Sequence, residues 1–405
     1  MELLSPAGSI EKLYYVYAYG ADAAYIGIKN FSLRARSDNF DTDEYIKVRK
    51  LKGSKKLYGA LNIFFHNSDI RNLEANLDYL KEYPFDAFII SDIGIVPVLR
   101  KYFPQTSLHL STQANCINSE AVLMYKDMGF SRVILGRETS LEEVKEIKDR
   151  ARDLEIEIFI HGAMCLAYSG RCFLSKSMIN RSANQGDCAH SCRWKYRVLE
   201  EEERPGEYYP VVEGENFTTV LSSKDLCMFD YMAAVKKAGV DSCKIEGRMK
   251  SIYYASIITR AYRQAIDAAE GKIVKDLDSF REDLLNVSHR EYSTGFYFGK
   301  DDIEKSTQKN YMRLYKFLGS IGADAGDGLY RLNVKNQIRQ GTELEYIGPD
   351  INAKKDNGYV IYDMNMSPVS QADHGKEYLI KPGVPVKEWY ILRTKAADSG
   401  EAVIS

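Results

Sequence analysis

No segment of this chain is apolar for long enough to cross a bilayer. The most apolar window, Ala87 to Leu99, is broken by Asp92 and Pro97 and falls short of the roughly 20 residues a spanning helix needs. The amino terminus lacks a basic segment followed by an apolar stretch and a cleavage site; Met1 runs straight into Glu2-Leu3-Leu4-Ser5-Pro6, which predicts a cytoplasmic protein with no membrane attachment. Charge of one sign is missing as well. With 55 Lys and Arg against 57 Asp and Glu, the net charge is −2, so any contact with nucleic acid needs a local basic patch. There is also no His-Glu-x-x-His zinc motif, no Gly-x-Ser-x-Gly nucleophile elbow and no Cys-x-x-Cys knuckle, which removes the protease and zinc-ribbon signatures legible from sequence.

What is present is enough apolar residue for a proper core, 45% of 405 residues, and a length that fits an α/β barrel of about 250 residues plus a small partner domain. The first 270 residues alternate short apolar runs with amphipathic stretches, the pattern of βα units around a parallel sheet. Eight strands are predicted at Glu2–Leu4, Ala23–Ile26, Lys56–Leu61, Ala87–Ile90, Ser107–Leu110, Arg132–Leu135, Glu157–Ile160 and Ser242–Ile245, with helices such as Leu141–Arg152 and Ser251–Ala269 between them. The expected fold is a (β/α)8 TIM-like barrel over residues 1–300, irregular at its seventh unit. Such barrels carry their chemistry at the C-terminal ends of the strands. The polar residues there are Asn62, Asp92, Thr112 with Gln113, Arg137 with Glu138, His161, and Glu246 with Arg248. Beyond residue 305 the texture changes to β-branched and aromatic runs punctuated by Gly, Asp and Asn, which predicts a small all-β barrel domain over 306–398.

The seventh unit is oversized. An insertion over about residues 161–241 holds five of the seven cysteines, and a loop of that length in a barrel is generally functional. An odd number of cysteines in a chain predicted to be cytoplasmic argues for thiols rather than disulfides. Cys116 and Cys243 stand alone beside apolar strands and read as core filler. Cys165, Cys172, Cys188, Cys192 and Cys227 lie among polar neighbours, and four thiolates meeting at one place can hold zinc or an iron–sulfur cluster. Cys165, Cys172 and Cys227 are the first choices; Cys188 and Cys192 compete for the fourth place, with Cys192 preferred.

The residues around these cysteines carry a resemblance. Glu157-Ile158-Phe159-Ile160-His161-Gly162-Ala163-Met164-Cys165, Tyr168-Ser169-Gly170-Arg171-Cys172, Cys192-Arg193-Trp194-Lys195-Tyr196, Ser223-Lys224-Asp225-Leu226-Cys227 and Lys244-Ile245-Glu246-Gly247-Arg248-Met249-Lys250-Ser251, together with the opening Leu4-Ser5-Pro6-Ala7-Gly8, resemble the signatures of the peptidase U32 family, over nearly the whole chain. The family's name records a collagenase assignment. Members similar to this chain act as hydroxylation factors for tRNA wobble uridine, ribosomal RNA cytidine or the ubiquinone ring, without molecular oxygen. The resemblance implies a 4Fe-4S cluster on four cysteines, with zinc as the alternative left open by spacing, and prephenate as a required metabolite in the RNA branches. A barrel followed by one β-domain is the layout of the tRNA enzymes, and that domain resembles small barrels of translation proteins, which suits contact with tRNA. Asp187 and His190-Ser191 match no single branch.

On this reading His161, Glu246 and Arg248 are expected to act in catalysis. Arg137, Arg171, Arg193 and Arg248 are candidates for the two carboxylates of prephenate, because guanidinium forks match carboxylates bidentately; pairing with Glu138 or Glu246 is the structural alternative. Tyr168, Trp194 and Tyr196 are candidates for stacking an unpaired base. Lys224, Lys244, Lys250, Lys305, Lys309 and Arg313 are candidates for the RNA backbone. His109 lies within a strand and reads as core. A U32-type peptidase and a non-catalytic iron–sulfur partner are the competing functions, and a homo-oligomer or a pair with another family member is left open.

Overall fold

The computed structural model describes residues 1–33, 44–165, 167–172, 174–193, 212–214, 217–219, 223–299, 314–349 and 351–396. The chain opens with β1 (Glu2–Ala7) and α1 (Ile10–Ala18), then β2 (Ala23–Gly27) and α2 (Tyr45–Lys52). Next come β3 (Lys56–Leu61) with the pair α3 (Asn67–Ala75) and α4 (Leu77–Glu82), and β4 (Ala87–Ile90) with α5 (Val96–Tyr102). There follow β5 (Ser107–Leu110) and α6 (Ser119–Asp127), β6 (Arg132–Ile134) and α7 (Leu141–Arg150), and the long β7 (Glu155–Ala163). The excursion after β7 contains α8 (Leu174–Ile179), a hairpin of β8 (Val212–Gly214) and β9 (Phe217–Thr219), β10 (Asp225–Cys227) and α9 (Met232–Lys237). The barrel then resumes with β11 (Ser242–Ile245), α10 (Ile252–Ala269), α11 (Leu277–Asn286) and β12 (Tyr292–Ser293).

Strands β1 to β7 pair in order, and β11 closes the ring by pairing in parallel with both β7 and β1. The fold is therefore a closed eight-stranded TIM-like barrel. Its strands are buried on both faces, which is why they read as continuous apolar runs rather than alternating ones. Helix starts follow local chemistry. Ser9, Asn118, Ser140 and Ser251 each cap a helix with the side-chain oxygen, and Ser140 forms a reciprocal capping box with Glu143.

The lower barrel interior is charged where such barrels usually hold branched aliphatics. Arg132, 1% exposed, binds Glu2 at 2.6 Å and Glu157 at 2.9 Å, and Glu157 also accepts Lys244 at 2.9 Å. The Tyr58 hydroxyl donates to Glu2, and buried His109 stands edge-on to the Tyr58 ring at 4.8 Å. Burial and then Arg132 hold His109 well below the usual histidine range. Burial raises Glu2, but the hydrogen bond and charge of Arg132 outweigh it and hold the carboxyl down at about 2. Both groups bind protons more readily in the unfolded chain, so both make stability fall with falling pH. The His109 contribution is lost progressively below about 6.5. That of Glu2 is fully present above 4.5 and disappears as pH falls through about 2. Melting temperatures measured from pH 7.5 to pH 4 are expected to decline steadily; a flat profile would contradict this assignment.

The C-terminal domain comprises β13 (Tyr315–Gly326), β14 (Leu329–Val334), β15 (Ile338–Arg339), β16 (Leu344–Gly348), β17 (Ile351–Asp356), β18 (Val360–Tyr362), β19 (Gln371–Ala372), β20 (Tyr378–Lys381) and β21 (Ile391–Lys395). Seven of these form an antiparallel sheet in the order β17-β16-β21-β13-β14-β20-β18, with β15 and β19 paired apart. Among the described residues the sheet's two end strands do not meet, so the expected barrel is a half-barrel, curved by the register shifts along β13. It has its own core, which includes Leu318, Ile321, Leu332, Tyr346, Ile380 and Leu392. The domain docks on α1, α10 and α11. Tyr19 donates to the Ile347 carbonyl at 2.9 Å, Arg260 to that of Gly348 at 2.9 Å, and Arg393 joins Glu345 to Asp283 and Tyr253. Tyr14 packs on Trp389 at 4.2 Å. Among the described residues no helix is long and apolar enough to cross a membrane.

Candidate active site

The excursion after β7 folds back on the C-terminal ends of the strands and is pinned there at several points. Glu138, just past β6, accepts the Ser169 amide at 2.7 Å and the Ser169 hydroxyl at 3.2 Å. Thr112, past β5, donates to the Leu135 carbonyl at 3.1 Å and lies 3.4 Å from Ser169 Oγ. Gly170 (φ +74°) sits so close to Gln113 that a Cβ there would fall 2.0 Å from its carbonyl oxygen, so only glycine fits. Asn184 accepts the Phe64 amide from the loop after β3. The loop between Cys165 and Cys172 and the segment through α8 therefore form a cap on the barrel mouth.

One geometric detail was not legible in the sequence. The pairing of β7 with β11 slips between Lys244 and Ile245, whose partners are Phe159 and His161, so Ile160 is extra. A bulge of this kind re-aims the side chains that follow it. Phe159 and Lys244 face the interior, whereas His161 turns outward against α10, among Tyr254, Tyr262 and Tyr292. His161 is thus not at the mouth, as its place at a strand end predicts. It is 1% exposed, burial pushes its pKa down to about 3, and its Nδ1 lies 3.2 Å from the Tyr262 hydroxyl. Because Tyr262 donates to the Ile160 carbonyl at 2.9 Å and accepts the Met228 amide, the neutral His161 ring donates from Nδ1 and keeps Nε2 as the acceptor.

Cys227 is across from His161 in β10, which runs antiparallel along the projecting end of β7. Its sulfur is 3.6 Å from the Tyr262 hydroxyl, and burial pushes its thiol up to about 11. β10 is anchored by Asp225, which Arg290 grips through its backbone amide and its guanidinium, the shortest contact being 2.6 Å; the pair is buried. Tyr262 and Arg290 were missed from sequence. Both sit in segments whose pattern signals only helix core or domain junction.

The other cysteines lie on the cap. Cys165 is exposed, while Cys172, Cys188 and Cys192 are half-buried. Cys188 Sγ accepts the His190 amide at 3.4 Å, and Ser175 holds the Ala189 amide beside it. As a donor set, thiols have the soft chemistry an iron–sulfur group takes, and Cys165, Cys172, Cys188 and Cys192 lie in the segment after β7 with Cys227 in β10. Among the described residues no three His, Cys, Asp or Glu side chains are gathered around one point closely enough to hold a single ion, as tetrahedral zinc requires.

Among the cationic candidates, Arg137 stands out. Its guanidinium lies 3.9 Å over the Phe159 ring at the mouth, and its Nε is buried without a hydrogen-bond partner among the described residues. Lys244 is a correction: it is 4% exposed and held inside the barrel by Glu157, so it cannot reach an RNA backbone. Arg248 is buried against Gly8 of the first loop, its carbonyl accepting Lys12. The Glu246 carbonyl accepts the Tyr254 hydroxyl, and its amide donates to the His161 carbonyl at 2.9 Å. Tyr168 is 58% exposed, Arg171 exposed and Lys224 half-buried, all at the cap. The Arg193 side chain, Trp194, Tyr196, Lys305, Lys309 and Arg313 lie outside the described residues.

The chain is 36% identical over 401 residues to a "tRNA hydroxylation protein P" of Escherichia coli, covering 87% of each chain. It is 36% identical over 382 residues to a "tRNA hydroxylation protein P1" of Bacillus subtilis, covering 92% of this chain and 89% of that one. A "Collagenase" of Porphyromonas gingivalis is 32% identical over 314 residues, 74% of each chain. The model of the peptidase family U32 matches residues 8–307 and that of the family's C-terminal domain residues 313–393. The chain therefore belongs to peptidase family U32.

Proposed function

We propose that this chain is an RNA-modifying enzyme that hydroxylates a tRNA wobble uridine to 5-hydroxyuridine without molecular oxygen, with prephenate as required metabolite. The observation that carries the reading is the similarity to two tRNA hydroxylation proteins, each 36% identical and covered over 87% and 89% of its length. Cys165, Cys172, Cys227 and one of Cys188 and Cys192 would hold a 4Fe-4S cluster. When bound, that group supplies one-electron redox chemistry. The chain's own residues account for substrate placement. Arg137 offers a carboxylate an unspent guanidinium face in a partly dehydrated mouth, where a charge-assisted pair is strong. Tyr168 offers an exposed ring for an unpaired base, and the Glu138–Ser169 and Gly170–Gln113 contacts hold the cap in place above them.

Arg137→Ala is expected to raise the apparent KM for prephenate by about 10- to 100-fold, the worth of a hydrogen bond to a charged group. The fold should stay intact, because among the described residues the guanidinium packs on one aromatic ring, that of Phe159. An unchanged KM would remove Arg137 from the site. The function itself is tested by comparing tRNA nucleosides by mass spectrometry with and without the gene. Loss of 5-hydroxyuridine, restored by the wild-type gene, supports it. Unchanged levels, with any redundant enzyme also deleted, overturn it. The collagenase relative keeps a peptidase reading in play; cleavage of gelatin by the purified protein, with RNA nucleosides unaltered, would favour that reading instead.

A further inference from the structure

The C-terminal half-barrel carries a cleft of about 250 Å³ between β14, β20 and two adjoining turns, and its wall includes Arg331, Lys335, His374, Lys376, Met364 and Glu377. The geometry points to this cleft as a docking site for the ribose-phosphate backbone of an RNA, separate from the barrel mouth. The inference rests on the RNA reading above and says where else the RNA is held.

The charge balance is the first argument. The chain as a whole carries −2, whereas Arg331, Lys335, Lys376 and His374 gather in the wall of this cleft, with Glu377 in the wall and Asp373 and Glu11 just outside it as the cations' carboxylate partners. Each cation has only a loose partner. Arg331 reaches Glu377 at 3.4 Å, Lys376 reaches Asp373 at 3.4 Å and Lys335 reaches Glu11 at 3.3 Å, all on exposed or half-exposed side chains. Such pairs contribute about 0–1 kcal/mol, so a phosphate can replace the carboxylate at little cost.

The second argument is preorganisation. Asp363 accepts the amides of Asn365 and Ser367, fixing the turn that presents Met364, which is 47% exposed. Asp373 accepts Gln337 and Gln371, and its own amide donates to Tyr378. The walls are ordered before any ligand arrives, so binding spends less on ordering. A thioether and an imidazole beside the cations give a base face apolar and planar surface to rest on.

The third argument is location. Lys335 bonds Glu11 in the first turn of α1, and the next residue, Lys12, bonds the Arg248 carbonyl after β11. The start of α1 and the Arg248 segment each follow the C-terminal end of a barrel strand, β1 and β11. The cleft therefore adjoins the mouth side of the domain junction, where one RNA can engage both.

The full-length protein with Arg331→Ala and Lys376→Ala, both exposed side chains, is compared with wild type by fluorescence anisotropy on deacylated tRNA over a range of salt concentrations. Binding is expected to weaken by 10-fold or more. The salt slope should fall by about 1 to 2 units, as for the loss of two phosphate contacts. In the hydroxylation reaction KM for tRNA should rise with kcat unchanged, and inorganic phosphate should not compete at concentrations that leave tRNA bound. Wild-type affinity and slope in the variant overturn the cleft while leaving the function intact. Absence of tRNA binding by the wild-type protein overturns both. A melting temperature equal to wild type guards against an unfolding artefact, and Arg331→Lys with Lys376→Arg should retain binding.

Discussion

Cys172→Ser and Cys165→Ser should each lower RNA hydroxylation by more than about 100-fold, beyond the 10- to 100-fold expected for outer-shell partners of a metal group, while leaving the melting temperature near that of the wild type. The contrast follows from what each sulfur touches. Cys165 is exposed and Cys172 half-buried on the cap, so exchanging sulfur for oxygen there removes a soft donor without opening a cavity. Cys227 differs, because its half-buried sulfur lies 3.6 Å from the Tyr262 hydroxyl, which also holds the Met228 amide and the Ile160 carbonyl. Its serine variant should lose activity and some stability together. Single variants of Cys188 and Cys192 decide the fourth position: one should behave like Cys172, the other like wild type. Iron content and visible absorbance after anaerobic purification should fall in parallel with activity. Retained activity in both Cys165→Ser and Cys172→Ser would defeat the cluster assignment.

The second large effect belongs to the barrel interior. Glu157→Ala is expected to destabilise the protein by about 3–5 kcal/mol, the cost of stranding buried charge. Glu157 is fully buried and is the shared acceptor of Arg132 and Lys244, each at 2.9 Å. Arg132 retains Glu2 and Glu155 after the substitution, but Lys244 loses its carboxylate inside the barrel. Removing the two together, as Glu157→Leu with Lys244→Leu, should cost less than the sum of the single losses, since one charge of each sign leaves. Chemical denaturation of the four proteins measures the coupling. Simple additivity would mean that the two groups do not act as a pair.

Much of the barrel was legible because parallel strands buried on both faces write continuous apolar runs. Four strands begin and end where the sequence places them, at Lys56–Leu61, Ala87–Ile90, Ser107–Leu110 and Ser242–Ile245. Ser251 and Ser140 announce their helices as caps. The cysteine-bearing excursion was legible as an interruption of that rhythm. The direction of individual side chains was not. A lysine in a barrel strand looks the same whether it meets RNA or Glu157, which is why Lys244 was misplaced. A one-residue bulge at Ile160 leaves no compositional trace, yet it decides that His161 faces Tyr262 rather than the mouth. The C-terminal strands were legible from β-branched runs, but closure depends on end strands meeting in space, and among the described residues they do not.

The most direct test is reconstitution. Anaerobically purified full-length protein is incubated with prephenate and tRNA from cells lacking the gene, and the tRNA is then digested and its nucleosides weighed. The account predicts 5-hydroxyuridine formed in the strict absence of oxygen and dependent on the wild-type cysteines. Iron-loaded protein that leaves uridine unchanged, or a product that forms only when oxygen is admitted, would contradict it.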